Sequence, residues 1–191
     1  MKNVLVLLAE GFEEVEAITP VDYLRRAEIS VTTAAIGSDL AVSGAHDIQI
    51  NADTCLENVI SEGSGKWDAI IVPGGIPGVD NIAASKGAGD FIKEMASSGK
   101  LVAAICAAPP RVLFPLGLLD GKKYTCYPGA EGKVISSGGT SERKPEKVVV
   151  DGNLITSQGP GTAAPFAFAI IDKLLGDGEG EKIAGMVLLT P

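Results

Sequence analysis

Apolar and polar positions alternate along this chain in blocks of two kinds. Short apolar runs predict buried β-strands at residues 4–9, 30–36, 69–73 and 101–105, and an amphipathic stretch at about residues 13–26 predicts a helix. Strands that alternate with amphipathic segments are typical of a parallel sheet with helices on both faces. The pattern therefore predicts an α/β fold with a mostly parallel sheet.

Two segments depart from this alternation. Residues 39–51 contain Gly44 between two short β-like segments, and residues 148–155 contain the turn sequence Asp-Gly-Asn. Turn residues between extended segments favour β-hairpins, so we predict a hairpin in each segment, outside the main sheet. Beyond them, two helices are predicted at about residues 162–175 and 179–189.

Length and charge narrow the class of protein. A chain of 191 residues without repeats or linkers suits one α/β domain, so we predict a single domain over residues 1–191. Its 16 basic and 24 acidic residues give a net charge of −8, which disfavours nucleic acid and anionic membranes as partners. Residues 101–119 are apolar, but Arg111 and three prolines interrupt them, so we expect no membrane span.

The cysteines and the amino terminus bear on the compartment. Cys55, Cys106 and Cys126 form an odd set without CxxC spacing, which points to neither a disulfide framework nor a metal site. Four glutamates among the first 16 residues do not fit a cleaved signal peptide. We therefore predict a cytoplasmic protein without a metal ion.

Cys106 is the strongest candidate for chemistry. It directly follows the predicted strand at residues 101–105, and the residues from Ala107 onward favour a helix. At such an elbow the side chain is presented at the carboxyl edge of the sheet, and the first helical amides favour a thiolate. The alternative is a buried, inert cysteine that packs as a small hydrophobe.

Glycine-rich loops follow two other predicted strands. Gly74 and Gly75 come after the strand at residues 69–73, where their amides would form an oxyanion hole or simply an ordinary turn. The loop at residues 158–162 has the same form and the same two interpretations. Neither loop carries the P-loop lysine or the dinucleotide fingerprint, so no nucleotide is expected.

Two titratable residues are candidates for proton transfer. Glu16 lies one turn inside the predicted first helix; if it faces Cys106, burial and a thiolate would raise its pKa and keep it protonated. A solvated glutamate at the helix start is the simpler alternative. His46 is the only histidine and lies in the predicted hairpin, where an exposed turn residue is the simpler interpretation.

Four motifs occur together over most of the chain. They read EGFEEVEAITPVDYLRR at residues 10–26, IIVPGGIPG at 70–78, VAAICAAP at 102–109 and LITSQGPGT at 154–162. In this order they resemble the DJ-1/ThiJ/PfpI superfamily, and within it the DJ-1 branch with its bacterial relatives. The resemblance implies a flavodoxin-like α/β sandwich and a homodimer packed partly through the first helix.

The resemblance also implies roles for particular residues. Cys106 would be the reactive cysteine and Glu16 its protonated partner. The backbone amides of Gly74, Gly75 and Ala107 would surround the oxyanion or the oxidised sulfur. No metal or organic cofactor is implied.

Among the positions around the implied site, two match the family pattern and one differs from it. Arg26 and Asp22 match helix residues near the dimer interface and the entrance of the site. His46 stands where some relatives place an anion-binding arginine, so that subsite is altered in this chain.

Two differences bear on the chemistry. Many relatives have a His-Pro pair where this chain has Tyr127-Pro128, so we expect no Cys-His pair; Tyr127 itself is interpreted as a packed aromatic residue. The protease branch has histidine directly after the nucleophile, where this chain has Ala107. A peptidase-like hydrolase is therefore a weak alternative.

The resemblance suggests two main functions. The first is a cysteine-dependent, glutathione-independent glyoxalase or deglycase that acts on methylglyoxal-type dicarbonyls or on early adducts of glycated groups and protects against carbonyl and oxidative stress. The second is a non-enzymatic redox sensor and chaperone in which Cys106 is oxidised to a sulfinate. A structural homodimer with an inert cysteine is a weaker alternative.

Overall fold

The computed structural model describes residues 1–189, so the last two residues of the predicted 1–191 domain lie outside the described part. The strands are β1 (Asn3–Leu8), β2 (Ser30–Ala35), β3 (Ala41–Ser43), β4 (Gln49–Asn51), β5 (Thr54–Cys55), β6 (Ala69–Val72), β7 (Leu101–Ile105), β8 (Lys123–Tyr124), β9 (Glu142–Arg143), β10 (Val148–Asp151) and β11 (Leu154–Ser157). The helices are α1 (Glu14–Arg26), α2 (Leu56–Glu62), α3 (Gly78–Ala84), α4 (Lys86–Ser97), α5 (Gly132–Ser136), α6 (Ala163–Leu175) and α7 (Glu179–Met186), and a π-helical segment covers Pro109–Leu113.

The central sheet has seven strands in the order β10-β11-β7-β6-β1-β2-β5. All neighbouring strands are parallel except β10 and β11, which are antiparallel. The predicted α/β fold with a mostly parallel sheet is therefore confirmed. In this order β7, β6 and β1 are neighbours, so the loops that follow them meet at one edge of the sheet.

Helices on both faces explain the continuous apolar runs. In β1, Leu5 and Leu7 join the apolar layer beneath α2, α3 and α4, whereas Val4 and Val6 join the layer beneath α1, α6 and α7. Successive strand residues point to opposite faces, and both faces are covered here, so all positions from Val4 to Leu8 are apolar.

The two predicted hairpins are present, but only one lies outside the main sheet. Strands β3 and β4 form a separate antiparallel pair. Strands β10 and β11 also pair, but β11 runs parallel to β7, with Leu154 opposite Val102 and Ser157 opposite Ile105. The prediction that this hairpin lies outside the sheet is wrong, because all four residues of β11 are buried and continue the core.

The carboxyl-terminal helices follow the predicted pattern with a shift at one end. Helix α6 ends at Leu175 as expected, whereas α7 ends at Met186, three residues before the predicted end. Within residues 1–189, no helix has both the length and the apolar character that a membrane crossing requires.

Candidate active site

Cys106 lies at a strained elbow directly after β7. Its φ is +66°, a left-handed conformation that non-glycine residues adopt rarely and that is concentrated at functional sites. The Cys106 amide donates to Ser157 O at 2.9 Å, and its carbonyl accepts from the Tyr127 amide at 2.9 Å. These two bonds hold the strained residue between β11 and the loop that contains Tyr127.

The segment after the elbow differs from the expected helix. A turn at Ala107 leads into the π-helical segment Pro109–Leu113, which begins with two prolines at positions where a helix needs no amide donor. The amides nearest the sulfur belong to Ala107 and Gly75, and both oppose the rise in the pKa of the Cys106 thiol. Two backbone donors thus lie where negative charge on sulfur or on a substrate oxygen would develop.

Glu16 reaches Cys106 from the first turn of α1. The helix begins there because the Glu13 carboxylate accepts from the Glu16 amide at 2.6 Å and caps the helix. The Glu16 side chain is fully buried and is hydrogen-bonded to Cys106. Its Oε2 accepts from the Gly74 amide at 2.8 Å, whereas its Oε1 has no hydrogen-bond partner among the described residues.

Burial dominates the protonation of this pair. Desolvation, reinforced by the charge of Glu13, raises the pKa of Glu16 to about 7. Desolvation and the nearby Glu16 carboxylate raise the pKa of the Cys106 thiol to about 12, and the backbone amides do not outweigh them. Elbow amides alone therefore do not produce a thiolate. The pair holds two protons below about pH 7 and shares one proton between about pH 7 and about pH 12, because two negative charges cannot coexist there.

The glycine loop after β6 divides its amides between the two side chains. Gly74 donates to Glu16 and not to the sulfur, whereas Gly75 faces Cys106. A side chain at Gly74 would collide with both Glu16 and Cys106, and Gly75 has a φ of +92°. Glycine is therefore required at both positions, and Gly74 orients the acid.

Tyr127 and Gly159 form the wall beside the unpartnered Glu16 oxygen. A Cβ added to Gly159 would lie 3.3 Å from the Tyr127 ring and 3.9 Å from Glu16 Oε1. The Tyr127 side chain is half exposed, not a fully packed aromatic residue. Gly159 belongs to the predicted glycine loop at residues 158–162, but its place beside Glu16 is not visible in the sequence.

The sequence around these residues, and most of the rest of the chain, matches a known family. The sequence profile of the DJ-1/PfpI family covers residues 2–173. The chain belongs to this family. The resemblance carried by the four motifs is thus confirmed.

Individual relatives place the chain in the DJ-1 branch. It is 42% identical over 189 residues to Protein dj-1beta of Drosophila melanogaster, which is 99% of this chain and 98% of that protein. It is similar to the structure of oxidized Toxoplasma gondii DJ-1, with a TM-score of 0.92, 33% identity and full coverage of both chains. It is also 34% identical over 159 residues to a deglycase of Pyrococcus abyssi, covering 83% of this chain and 91% of that protein.

Two other predicted residues of this DJ-1/PfpI chain lie apart from the sulfur. His46 is an exposed residue of the β3–β4 turn, as expected, and its Nδ1 lies 2.9 Å from Glu14 Oε2. Arg26 is exposed at the end of α1, where its Nε lies 2.7 Å from Asp22 Oδ2. Within residues 1–189, neither side chain forms a hydrogen bond with Cys106.

One group within residues 1–189 has the composition of a metal site. Ligand atoms of Glu13, Glu14 and His46 lie within 4.8 Å of one another. Each carboxylate already accepts structural hydrogen bonds, however: Glu13 from the Glu16 amide and Glu14 from His46. The group is therefore explained as a hydrogen-bond network around the start of α1.

Proposed function

We propose that this protein is a cytoplasmic, cysteine-dependent enzyme that converts reactive dicarbonyls such as methylglyoxal, or their early adducts, without glutathione or another cofactor. The observation that carries the proposal is the buried, hydrogen-bonded pair of Cys106 and Glu16 beside the amides of Gly75 and Ala107. The relationship to a Pyrococcus abyssi deglycase supports the same class of chemistry.

The first step is attack by sulfur on the aldehyde carbon. When Glu16 holds the shared proton, Cys106 is the thiolate and a carbon–sulfur bond forms. The carbonyl electrons move to oxygen, where the Gly75 and Ala107 amides stabilise the new negative charge. Glu16 then protonates this oxygen to give a hemithioacetal.

The second step moves hydrogen between the two former carbonyl carbons. The Glu16 carboxylate removes the proton from the carbon bonded to sulfur, which gives an enediolate, and returns it to the neighbouring carbon. The hydroxyl proton on the first carbon moves to the oxygen of the second, which leaves a 2-hydroxy thioester on Cys106. Water hydrolyses the thioester, releases lactate and restores the thiol. The sum is methylglyoxal plus water giving lactic acid, with no external oxidant or reductant.

The unpartnered Glu16 Oε1 supports this assignment. A buried carboxyl oxygen without a partner is costly, and a substrate hydroxyl between Tyr127 and Gly159 would satisfy it. Binding of the substrate thus completes the hydrogen bonds of the acid that reacts with it.

Lactate formation from methylglyoxal without glutathione tests the proposal. We expect multiple turnovers by the wild type, loss of activity in Cys106→Ser and a large decrease in Glu16→Gln. Cys55→Ser is the matched control, since Cys55 is a free, half-buried thiol on a different strand and should leave the rate unchanged. Absence of lactate with folded wild-type protein would refute the glyoxalase mechanism.

A redox sensor is the second candidate, and the oxidized state of the Toxoplasma gondii relative favours it. The same two amides and a protonated Glu16 would hold a sulfinate on Cys106. Peroxide titration followed by mass spectrometry separates the two functions. A sensor gains two oxygen atoms on Cys106 at low peroxide and shows no turnover of methylglyoxal.

We also propose that the protein forms a homodimer through α1. Val15 and Ile18 are exposed apolar side chains one turn apart on this helix, and Ile48 is exposed after the β3–β4 turn. Contact with a second copy would remove apolar surface from water. Analytical ultracentrifugation is expected to show a dimer for the wild type and a monomer for Ile18→Asp; a wild-type monomer contradicts the proposal.

A further inference from the structure

A cavity of about 440 Å³ opens at the edge of the sheet opposite to Cys106. It lies between α4, the amino-terminal ends of β7 and β11, and the loop that follows the π-helical segment. Val102 in its wall and Cys106 are four residues apart along β7, which corresponds to roughly 13 Å. The cavity is therefore separate from the candidate active site.

The inner wall of this cavity is apolar. Val102 and Leu154 are paired neighbours on β7 and β11, and both are buried. Ala96 of α4 and Leu118 pack against the same apolar layer and complete the wall. The volume falls within the range of small-molecule sites, which combine such walls with a few polar groups.

Three lysines line the same cavity: Lys93, Lys100 and Lys122. Lys93 and Lys100 form no ion pair within residues 1–189, so both ammonium groups are available to a ligand. Three of the protein's 16 basic residues thus surround one cavity in a chain with a net charge of −8. This concentration of positive charge favours an anion.

The neighbouring carboxylates reduce this charge but do not cancel it. Asp151 Oδ1 lies 3.5 Å from Lys122 Nζ, and Asp120 is the one acidic residue among the described residues that line the cavity. Asp68 and Asp90 interact with lysines of the cavity at longer range and do not line it. Positive charge therefore remains around the apolar wall.

We propose that this cavity binds a small organic anion, in which an apolar group is joined to a carboxylate or phosphate. The apolar group would lie against Val102, Leu118 and Leu154, and the anionic group would contact Lys93 and Lys100. No cysteine or histidine lines the cavity among residues 1–189, so we assign it as a binding site and not as a second reaction centre. The inference does not depend on the proposed function of Cys106.

Octanoate is a suitable probe, titrated into the ¹⁵N-labelled protein and followed by amide chemical shifts. We expect saturable shifts at Lys100, Val102 and Leu118, weaker binding at high salt, and the same affinity in Cys106→Ser. n-Octanol, which has the apolar group without the charge, should bind more weakly. Hexyl phosphate in place of octanoate distinguishes a phosphate preference from a carboxylate preference.

Three variants define the contribution of the lysines. Lys93→Met and Lys100→Met should each weaken octanoate binding by about three- to tenfold, since each removes one close positive charge. Lys173→Met is the matched control, because it removes one exposed positive charge from α6 outside the cavity, and it should leave the affinity unchanged. Amide spectra of the free variants show whether each one is folded.

A fourth variant tests the apolar part with all charges kept. Ala96→Leu places a larger side chain in the cavity wall and should weaken octanoate binding while the lysines remain. Absence of saturable shifts, octanol binding as strong as octanoate binding, or an equal loss in Lys173→Met would each overturn the proposal. Shifts confined to residues around Cys106 would overturn it as well.

Discussion

Glu14 and Glu16 lie two residues apart in the first turn of α1, and their environments affect protonation in opposite ways. Both side chains are buried. Burial raises the pKa of each carboxyl, but Glu14 also accepts from the side chain and backbone of His46 and from the Ile48 amide. These bonds outweigh burial and hold the pKa of Glu14 below its usual value.

Glu16 faces the sheet edge and has fewer donors. One oxygen accepts from Gly74 and the other has no partner within residues 1–189, so burial prevails and the pKa rises to about 7. Deeper burial together with fewer hydrogen-bond donors thus separates a candidate proton carrier from a structural carboxylate on the same helix.

The largest expected effect is the difference in kcat between the Glu16 and Glu14 variants. Glu16→Gln should lower kcat for methylglyoxal by about 100- to 10,000-fold, because it removes the proton carrier. Glu14→Gln should leave kcat nearly unchanged, since Glu14 holds the β3–β4 turn. Steady-state kinetics on folded variants measure both; equal losses would mean that the two carboxylates act together.

The pH dependence of thiol alkylation sharpens the same comparison. In the wild type we expect the rate of Cys106 modification by iodoacetamide to rise in two steps, near pH 7 and near pH 12, because the pair loses its first proton near pH 7 and the remaining, shared proton near pH 12. Glu16→Gln should show one step. A single step near pH 12 in the wild type would mean that sulfur keeps the shared proton, which contradicts the proposed attack.

The carboxyls of Glu16 and Glu14 should make the free energy of unfolding depend on pH in opposite directions. The folded protein holds the Glu16 proton up to about pH 7, whereas the unfolded chain loses it near 4.5. This contribution to stability, up to about 3 kcal/mol, is therefore present below pH 4.5 and lost as the pH rises to about 7. Glu14, with its lowered pKa, stabilises above its unfolded pKa and loses that contribution as the pH falls through its folded value.

Urea unfolding between pH 4 and pH 8 measures this difference. Glu16→Gln should be more stable than the wild type at pH 8 and similar to it at pH 5, because it removes only the cost of ionising Glu16. Glu14→Gln should be less stable than the wild type at pH 8. Parallel stability curves for the three proteins would show that donor number does not control the two carboxyls.

The position of the site follows from features that are visible in the sequence. Continuous apolar runs identify strands covered on both faces, and glycines or a cysteine directly after such strands lie at the carboxyl edge. Because β7, β6 and β1 are neighbours, Cys106, Gly75 and Glu16 meet there. The partner of a strand is harder to predict, since the 148–155 pattern shows a hairpin but does not show that β11 also pairs with β7.

The direction of backbone amides is not visible in the sequence. Gly74 and Gly75 are adjacent identical residues, yet one amide serves Glu16 and the other faces the sulfur. Which amide serves which group depends on a rotation of one peptide unit in the folded loop. The hydrogen-bond donors to Glu14 and Glu16 are not visible in the sequence either, because they come from segments distant in sequence.

The smallest expected effect concerns His46, which supplies two of the bonds to Glu14. Its pKa is raised mainly by the hydrogen bond to Glu14, so its contribution to stability is present at low pH and is lost as the pH rises above its usual value of 6.5. His46→Ala should therefore lower the melting temperature slightly at pH 6 and hardly at all at pH 8.5, with kcat unchanged. His46→Arg is the matched variant, because a permanent positive charge beside Glu14 should remove the difference between the two pH values. A marked loss of kcat in His46→Ala would show that the Glu14 network reaches Cys106, and the contrast between the two glutamates would then be one of degree.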